Sequence, residues 1–234
     1  MVHFGNEIVR FFGQAKKIIL DIFFPQFCVG CRSYGMLLCT HCADSLPLYA
    51  GHVCDLDVEN CIACFSEYGL KRCVPIYSYD NQCVREIVHT LKYRGIRELG
   101  SIMAEKMIPK IKDYSDNSVL MPVPLHKNRM RERGFNQAEV LAHTIGDALK
   151  ICVITDCLTR IRNTKLQSSL SRNQRIQNMK NVFACVAPSD ISGKDIILID
   201  DVMTTGATLA AAAHVLVTAG AKSVSAFVFA RGRL

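Results

Sequence analysis

Between Val74 and Arg231 the chain alternates short apolar stretches with segments of helical periodicity, and this alternation restricts the fold more than any other feature. The apolar stretches have the length and composition of strands: VPIYSY, SVLMPVPL, NVFACV, KDIILIDD and SVSAFVFAR. Segments such as 135–150 and 207–220 have helical spacing. Strands that alternate with helices form right-handed crossovers, so we expect an α/β fold with a mostly parallel sheet covered by helices on both faces.

The cysteines are unevenly distributed along the chain. All but Cys152, Cys157 and Cys185 precede position 84, in a chain with 12 cysteines. A cysteine-rich head joined to a cysteine-poor body is typical of an intracellular metal site next to an ordinary domain, not of a secreted disulfide scaffold. We therefore expect a small metal-binding lobe at 1–73 and a larger domain at 74–234.

Two C-x-x-C pairs in the head have the spacing of a zinc site. They are Cys28 with Cys31 and Cys39 with Cys42. Each pair makes a tight turn that directs two sulfurs to one place, and structural zinc prefers four thiolates in a tetrahedron at about 2.3 Å. Two disulfides or four free thiols are the alternatives, and in an intracellular chain we favour zinc. Such a site has no open coordination position, so the zinc would be structural.

Two other features of the head are less specific. Residues 7–24 place apolar side chains at helical spacing, which indicates a helix that packs on the same chain or, alternatively, an anchor to a membrane or partner. A second set of cysteines is spaced less regularly, so a second zinc and a degenerate remnant are equally compatible with it. That set comprises Cys54, Cys61, Cys64 and Cys73.

Charge and hydropathy bear on the location of the protein and on the charge of its ligand. Charged residues interrupt the first apolar segment, so we predict no secretory signal peptide, and no apolar run reaches the length of a membrane span. The formal net charge of +7 suits an anionic ligand such as phosphate or nucleic acid but identifies neither. We expect a soluble, cytoplasmic protein.

The most specific motif is the segment 196–208, IILIDDVMTTGAT. Four apolar residues end in two adjacent acids, and a hydroxyl-rich loop around Gly206 leads into a helix. The N–H groups at a helix start and threonine hydroxyls donate to phosphate, and a glycine lets the backbone approach it closely. The acids would repel a phosphate but suit sugar hydroxyls. The motif therefore indicates a sugar phosphate, with a threonine-capped turn as the alternative.

This segment resembles the phosphoribosyl-pyrophosphate (PRPP) loop of type I phosphoribosyltransferases. Together with the cysteine-rich head, residues 20–234 resemble the ComF/GntX family of competence-associated, phosphoribosyltransferase-like proteins. The resemblance implies a Rossmann-like type I fold in which Asp200 and Asp201 are the catalytic acids and hold the ribose 2′ and 3′ hydroxyls. It also implies the residues that hold the 5′-phosphate, which are Thr204, Thr205, Gly206, Ala207 and Thr208.

A basic stretch strengthens the resemblance. Residues 122–137, PVPLHKNRMRERGFNQ, follow a predicted strand and resemble the family's pyrophosphate loop. Cations suit a pyrophosphate leaving group, whose charge grows as the bond breaks, and the candidate ligands are Lys127, Arg131 and Arg133. A solvated basic loop or a nucleic-acid patch is the alternative.

Two further segments also match the family. Residues 164–170, with Arg172, Arg175 and Asn178 beyond them, resemble the part that closes over PRPP, and Lys165 and Arg175 would reach phosphates. The segment Leu91–Gly95 resembles a family signature, although Lys92 and Arg94 equally fit the end of a helix.

The resemblance implies transfer of ribose 5-phosphate from PRPP to a nitrogen nucleophile, with Mg²⁺ bridging pyrophosphate and ribose oxygens. No base-recognition motif is identifiable, so the acceptor stays open. The alternative is a non-catalytic PRPP-sensing or DNA-binding adaptor, because the resemblance implies a role in uptake of single-stranded DNA with competence-machinery proteins as partners. We expect both acids to be ionised at neutral pH and the loop from Asp200 to Thr208, which includes them, to be exposed.

Overall fold

A computed structural model of the chain describes residues 26–51, 69–111, 114–162 and 182–232. The chain divides into two compact units, Met1–Leu46 and Pro47–Leu234. The domain boundary expected between residues 73 and 74 stays a prediction, because 52–68 lie outside the described residues. The expected helix at 7–24 and the segment with Lys165 and Arg175 also lie outside them.

Within the first unit, the described residues 26–46 form tight turns and a short helix, α1 (Thr40–Asp44). The backbone N–H of Cys28 donates to the carbonyl of Ser33 at 2.8 Å, and that of Val29 donates to Leu37 at 2.9 Å. These hydrogen bonds fold the first C-x-x-C pair back toward the second, which begins just before α1.

The second unit is organised around a parallel sheet. Its strands are β1 (Leu70–Ser78), β2 (Ser118–Pro122), β3 (Cys152–Val153), β4 (Leu158–Arg160), β5 (Phe183–Cys185), β6 (Asp195–Met203) and β7 (Ser223–Arg231). The main sheet has the order β1-β7-β6-β2-β3, and every neighbouring pair in it is parallel. Strands β4 and β5 form a separate antiparallel pair. The predicted α/β fold with a mostly parallel sheet is confirmed.

The helices of this unit are α2 (Gln82–Arg94), α3 (Glu98–Met107), α4 (Lys127–Arg133), α5 (Gln137–Leu149) and α6 (Ala207–Thr218), with single 3₁₀ turns at Ile108–Lys110 and Pro188–Asp190. Local sequence sets their ends. The side chain of Asn81 accepts from the N–H of Val84 and caps α2, which ends at Gly95 in the left-handed region. Helix α4 replaces the loop expected for the basic stretch, because His126 caps its start and Gly134 its end.

Strand β6 lies inside the sheet and is buried on both faces. Its residues Ile196–Ile199 are at most 5% exposed. Ile196 and Leu198 pack in a core that includes Phe183 of β5 and Leu209 of α6. On the opposite side, α5 packs against β6 and β2. Ligands of open parallel sheets bind at the carboxyl ends of such strands, so the end of β6 is where the site is expected.

The helices offer no candidate for a membrane span. None of those within the described ranges is both long and apolar enough to cross a bilayer.

Candidate active site and metal centre

The predicted acid pair lies at the carboxyl end of β6, with its two members on opposite faces. Side chains alternate along a strand, so Asp200 shares the face of Leu198, whereas Asp201 shares the face of Ile199. Asp201 is only 6% exposed, and Lys92 Nζ lies 2.8 Å from its Oδ1. The N–H of Asp201 donates to Asp200 Oδ1 at 2.8 Å. The two acids therefore have different environments.

Lys92 stands in the last turn of α2 and is largely buried against Asp201. A buried carboxylate needs a charged partner, because removing an ion from water costs on the order of several kcal/mol. The attraction of the partner offsets this cost. The alternative interpretation of Lys92 as an ordinary cation at a helix end does not explain this contact. The expectation of an exposed acid is accordingly wrong for Asp201.

Asp200 is half-buried and has an unusual proton affinity. Burial and the charge of Asp201 raise the pKa of Asp200 to about 7, and the nearby charges of Lys92 and Arg160 only partly oppose this. The prediction that both acids are ionised at neutral pH is therefore wrong for Asp200. Asp200 therefore keeps its proton to a higher pH than an ordinary aspartate.

The charge of Asp200 acts on Arg160, and a second arginine, Arg129, lies close enough to Arg160 to act on it as well. Burial and the positive charge of Arg129 lower the pKa of Arg160, whereas the carboxylate of Asp200 raises it. Arg160 ends β4, and its guanidinium carbon lies 5.7 Å from the centre of the Phe183 ring. Sequence reasoning missed Arg160 and did not select Arg129 from its basic stretch. Their separation along the chain left no local motif that could have grouped them with the acids.

The loop after the acids has the expected connection to a helix. Gly206 is the N-cap of α6 with φ of 77°, in the left-handed region that glycine adopts without strain. Thr205 Oγ1 accepts from the N–H of Ala207 at 3.3 Å, and Thr205 is only 8% exposed. Thr204 is exposed and Thr208 is half-buried. The expected exposure of the loop is thus wrong for Thr205, while Thr204 remains accessible beside the positive end of α6.

The basic stretch presents its cations in two ways. Lys127 and Arg131 are exposed and one turn apart on α4, so they share a face. Arg133 is half-buried: its Nη1 donates to Gln137 Oε1 at 2.9 Å, and its guanidinium carbon lies 5.5 Å from the centre of the Tyr93 ring. The roles of Lys127, Arg131 and Arg133 as PRPP ligands stay predictions.

The four paired cysteines of the first unit converge on one point. The sulfurs of Cys28, Cys31, Cys39 and Cys42 all lie within 4.8 Å of one another. Cys39 Sγ is 3.6 Å from both Cys28 Sγ and Cys31 Sγ. Four sulfurs around a tetrahedral zinc at about 2.3 Å stand roughly 3.8 Å apart. No cysteine among the described residues forms a disulfide, so the arrangement fits a metal ion.

The protonation of these thiols also fits a metal. A hydrogen bond from Ser33 lowers the pKa of Cys31 to about 6, whereas the hydrogen bond with Cys39 and burial raise the pKa of Cys42. Thiols at this spacing oppose one another's ionisation. All four become thiolates together only around a cation, as structural zinc requires.

Only one member of the second cysteine set lies within the described residues. Cys73 is buried in β1, with its Sγ 3.5 Å from Met203 Sδ, where it fills part of the core. Cys54, Cys61 and Cys64 lie outside the described residues.

Comparison with known proteins assigns the family. The phosphoribosyl transferase domain family matches residues 132–233. Competence protein ComFC of Bacillus subtilis (strain 168) is 32% identical over 210 residues, covering 83% of this chain and 84% of the relative. The chain belongs to the ComF family. Competence protein F of Haemophilus influenzae is 27% identical over 213 residues, which is 87% of this ComF-family chain and 90% of the relative.

Two further likenesses are more limited. DNA utilization protein YhgH of Escherichia coli (strain K12) is 30% identical over 151 residues, and the match spans 62% of this chain and 66% of the relative. A glutamine PRPP amidotransferase from B. subtilis shares 19% identity at a TM-score of 0.37, over 60% of this chain and 26% of that one. This ComF-family protein is thus phosphoribosyltransferase-like by its domain match and its parallel sheet.

The raised pKa of Asp200 predicts a pH-dependent stability. Between its ordinary value of 3.8 and about 7, the folded protein keeps a proton that the unfolded chain has released. The contribution of Asp200 to the free energy of unfolding therefore falls as pH rises through this window. Asp200→Asn removes that contribution. The melting temperature of this variant minus that of wild type should therefore increase as the pH rises from 4 to 7, which thermal melts at several pH values measure.

Asp116→Asn is the matched control, because Asp116 is exposed. A melting-temperature difference between Asp200→Asn and wild type that stays constant across the window contradicts the assignment.

Proposed function

We propose that the carboxyl edge of the sheet binds PRPP with Mg²⁺ and transfers its ribose 5-phosphate to a nitrogen nucleophile, releasing pyrophosphate. One observation carries this: the acid pair near the end of β6 is followed, after Val202 and Met203, by Thr204–Thr208 at the start of α6. Carboxylates suit ribose hydroxyls, and the helix start suits a phosphate. The two halves of the motif therefore match the two ends of ribose 5-phosphate.

The two acids divide the work in this proposal. Asp201 is fixed by Lys92, and its N–H in turn orients the Asp200 carboxylate. The half-buried Asp200 is the acid placed to accept hydrogen bonds from ribose hydroxyls, and its negative charge favours the oxocarbenium-like transition state. Lys92 is thus a positioning residue that acts through Asp201.

The positive residues serve the leaving group. Arg160 lies near Asp200, Arg129 lies near Arg160, and Lys127 and Arg131 expose their charges on α4. Preorganised cations stabilise the charge that develops on pyrophosphate as the glycosidic bond breaks. Carboxylate and phosphate oxygens are ligands that Mg²⁺ prefers, and when bound it supplies further charge compensation between pyrophosphate and ribose.

Titration calorimetry of PRPP with Mg²⁺ tests the site. Asp200→Asn should weaken binding by about 1–3 kcal/mol, the range for a charge-assisted hydrogen bond. Thr204→Val should cost about 0.5–1.5 kcal/mol, since it removes one exposed hydroxyl donor. Neither variant alters the buried Lys92–Asp201 pair, so folding should be retained.

Thr218→Val is the control, because Thr218 is exposed at the other end of the same helix. Equal PRPP affinity in wild type and both site variants would mean that the motif is only a turn.

A second candidate is a PRPP-sensing or DNA-binding adaptor without transfer activity. The relatives named competence protein and DNA utilization protein favour it, as does the formal net charge of +7. We propose on the same ground that the chain works in natural transformation, in the cytoplasm, with competence-machinery proteins. Pyrophosphate release from labelled PRPP in a cell extract distinguishes the two: a transferase releases it when the protein is added, and an adaptor binds PRPP without release.

The exposed face of α4 predicts how single-stranded DNA would bind. Contacts from Lys127 and Arg131 to phosphates release counterions, so affinity should fall steeply with salt. Replacing both by Ala should flatten the slope of log K against log salt by about 1.4, at about 0.7 per contact. Fluorescence anisotropy of a labelled oligonucleotide at several salt concentrations measures the slope.

The control for that measurement replaces Lys71 and Lys110, which are also exposed, by Ala. A salt-independent affinity, or an equal change of slope in both double variants, argues against α4 as the DNA contact.

We further propose that zinc occupies the cluster of Cys28, Cys31, Cys39 and Cys42 and holds the first unit together. Elemental analysis should find at least one zinc per chain, and Cys39→Ser should lose that zinc and unfold the first unit. Cys152→Ser, at an exposed cysteine, should keep it. A metal-free protein that is fully folded would contradict the proposal.

A further inference from the structure

Two cysteines outside both sites meet beside the antiparallel strand pair. Cys157 Sγ lies 3.3 Å from Cys185 Sγ. Leu158 and Cys185 are cross-strand partners, and the N–H of Val186 donates to the carbonyl of Cys157 at 2.8 Å. Backbone hydrogen bonds thus hold the two segments together on both sides of the thiols, so the sulfurs stay close without any covalent link.

The two thiols differ in accessibility. Cys157 is fully buried at 0% exposure, and its S–H also faces the carbonyl of Ala187 at 3.3 Å. Burial and the neighbouring Cys185 raise the pKa of Cys157 to about 12, which keeps it a thiol at neutral pH. Cys185 is half-buried and therefore open to a small reagent. An oxidant accordingly reaches Cys185 first, with Cys157 already in place behind it.

We propose that Cys157 and Cys185 form a redox pair that a peroxide converts into a disulfide. The Cys185 thiolate attacks the peroxide: an S–O bond forms, the O–O bond breaks, and the departing hydroxide takes up a proton to give water. The Cys157 sulfur then attacks the sulfenic acid: the S–S bond forms, the S–O bond breaks, and hydroxide leaves with the Cys157 proton as a second water. The two thiols lose two electrons and the peroxide gains them.

The disulfide would tie the start of β4 to the end of β5. Cross-linking residues 157 and 185 restricts the unfolded chain, so the second unit should melt roughly 5–10 °C higher when oxidised. The bond joins segments that already pack in one core with α6, so little rearrangement accompanies it.

The test treats the full-length protein with one equivalent of hydrogen peroxide, blocks remaining thiols with N-ethylmaleimide and maps peptides without reductant. The expected result is a cross-linked peptide pair containing Cys157 and Cys185, lighter by two hydrogens than its reduced parts and separated by dithiothreitol. Cys157→Ser should leave Cys185 as a sulfenic acid that dimedone traps. Cys185→Ser should leave Cys157 as an unmodified thiol.

Cys152→Ser is the control, because it removes an exposed cysteine and should retain the cross-link. The proposal is overturned if wild-type Cys185 is oxidised to sulfinic acid with Cys157 still free, or if either cysteine pairs elsewhere. The wild-type peptide map decides the matter even where the buried Cys157→Ser variant fails to fold.

Discussion

Side-chain alternation along β6 is the constraint on which the candidate site depends. Asp200 and Asp201 are consecutive strand residues, so they face opposite sides of the sheet and each needs its own electrostatic environment. Lys92 supplies a cation on one face, and Arg160 supplies one on the other. The buried stretch Ile196–Ile199 carries both acids to the carboxyl edge, where a parallel sheet leaves room for a ligand.

The two environments give the acids different properties. Asp201 is buried and bound to Lys92, so its charge is part of the structure. Asp200 has a pKa of about 7 because it is half-buried next to that fixed charge. When two carboxylates have environments that separate their pKa values, chemically identical groups can take different roles. Lys92 therefore acts on Asp200 in two ways, directly through its own charge and indirectly through the Asp201 charge that it holds in place.

The parts of the fold that depend on local pattern were predictable from sequence. The apolar run ending in two acids predicted β6, and the two C-x-x-C pairs predicted the convergence of four sulfurs. The short helix α4 was missed because its charged sequence has no apolar face. The contact of Lys92 with Asp201 was not predictable, since it joins residues 92 and 201 through tertiary packing alone.

The protonation state of Asp200 was likewise not predictable from sequence. The pKa of Asp200 rises to about 7 because burial and the neighbouring Asp201 outweigh the opposing charges on α2 and β4, and no linear motif specifies this balance. The charge state that the proposed ligand favours at Asp200 determines how its affinity depends on pH. Ribose hydroxyls that donate to Asp200, and a cation beside it, favour the ionised carboxylate, so binding them favours release of the Asp200 proton. Below a pH of about 7 Asp200 keeps its proton, so releasing it opposes binding and the affinity for such a ligand should fall as the pH falls.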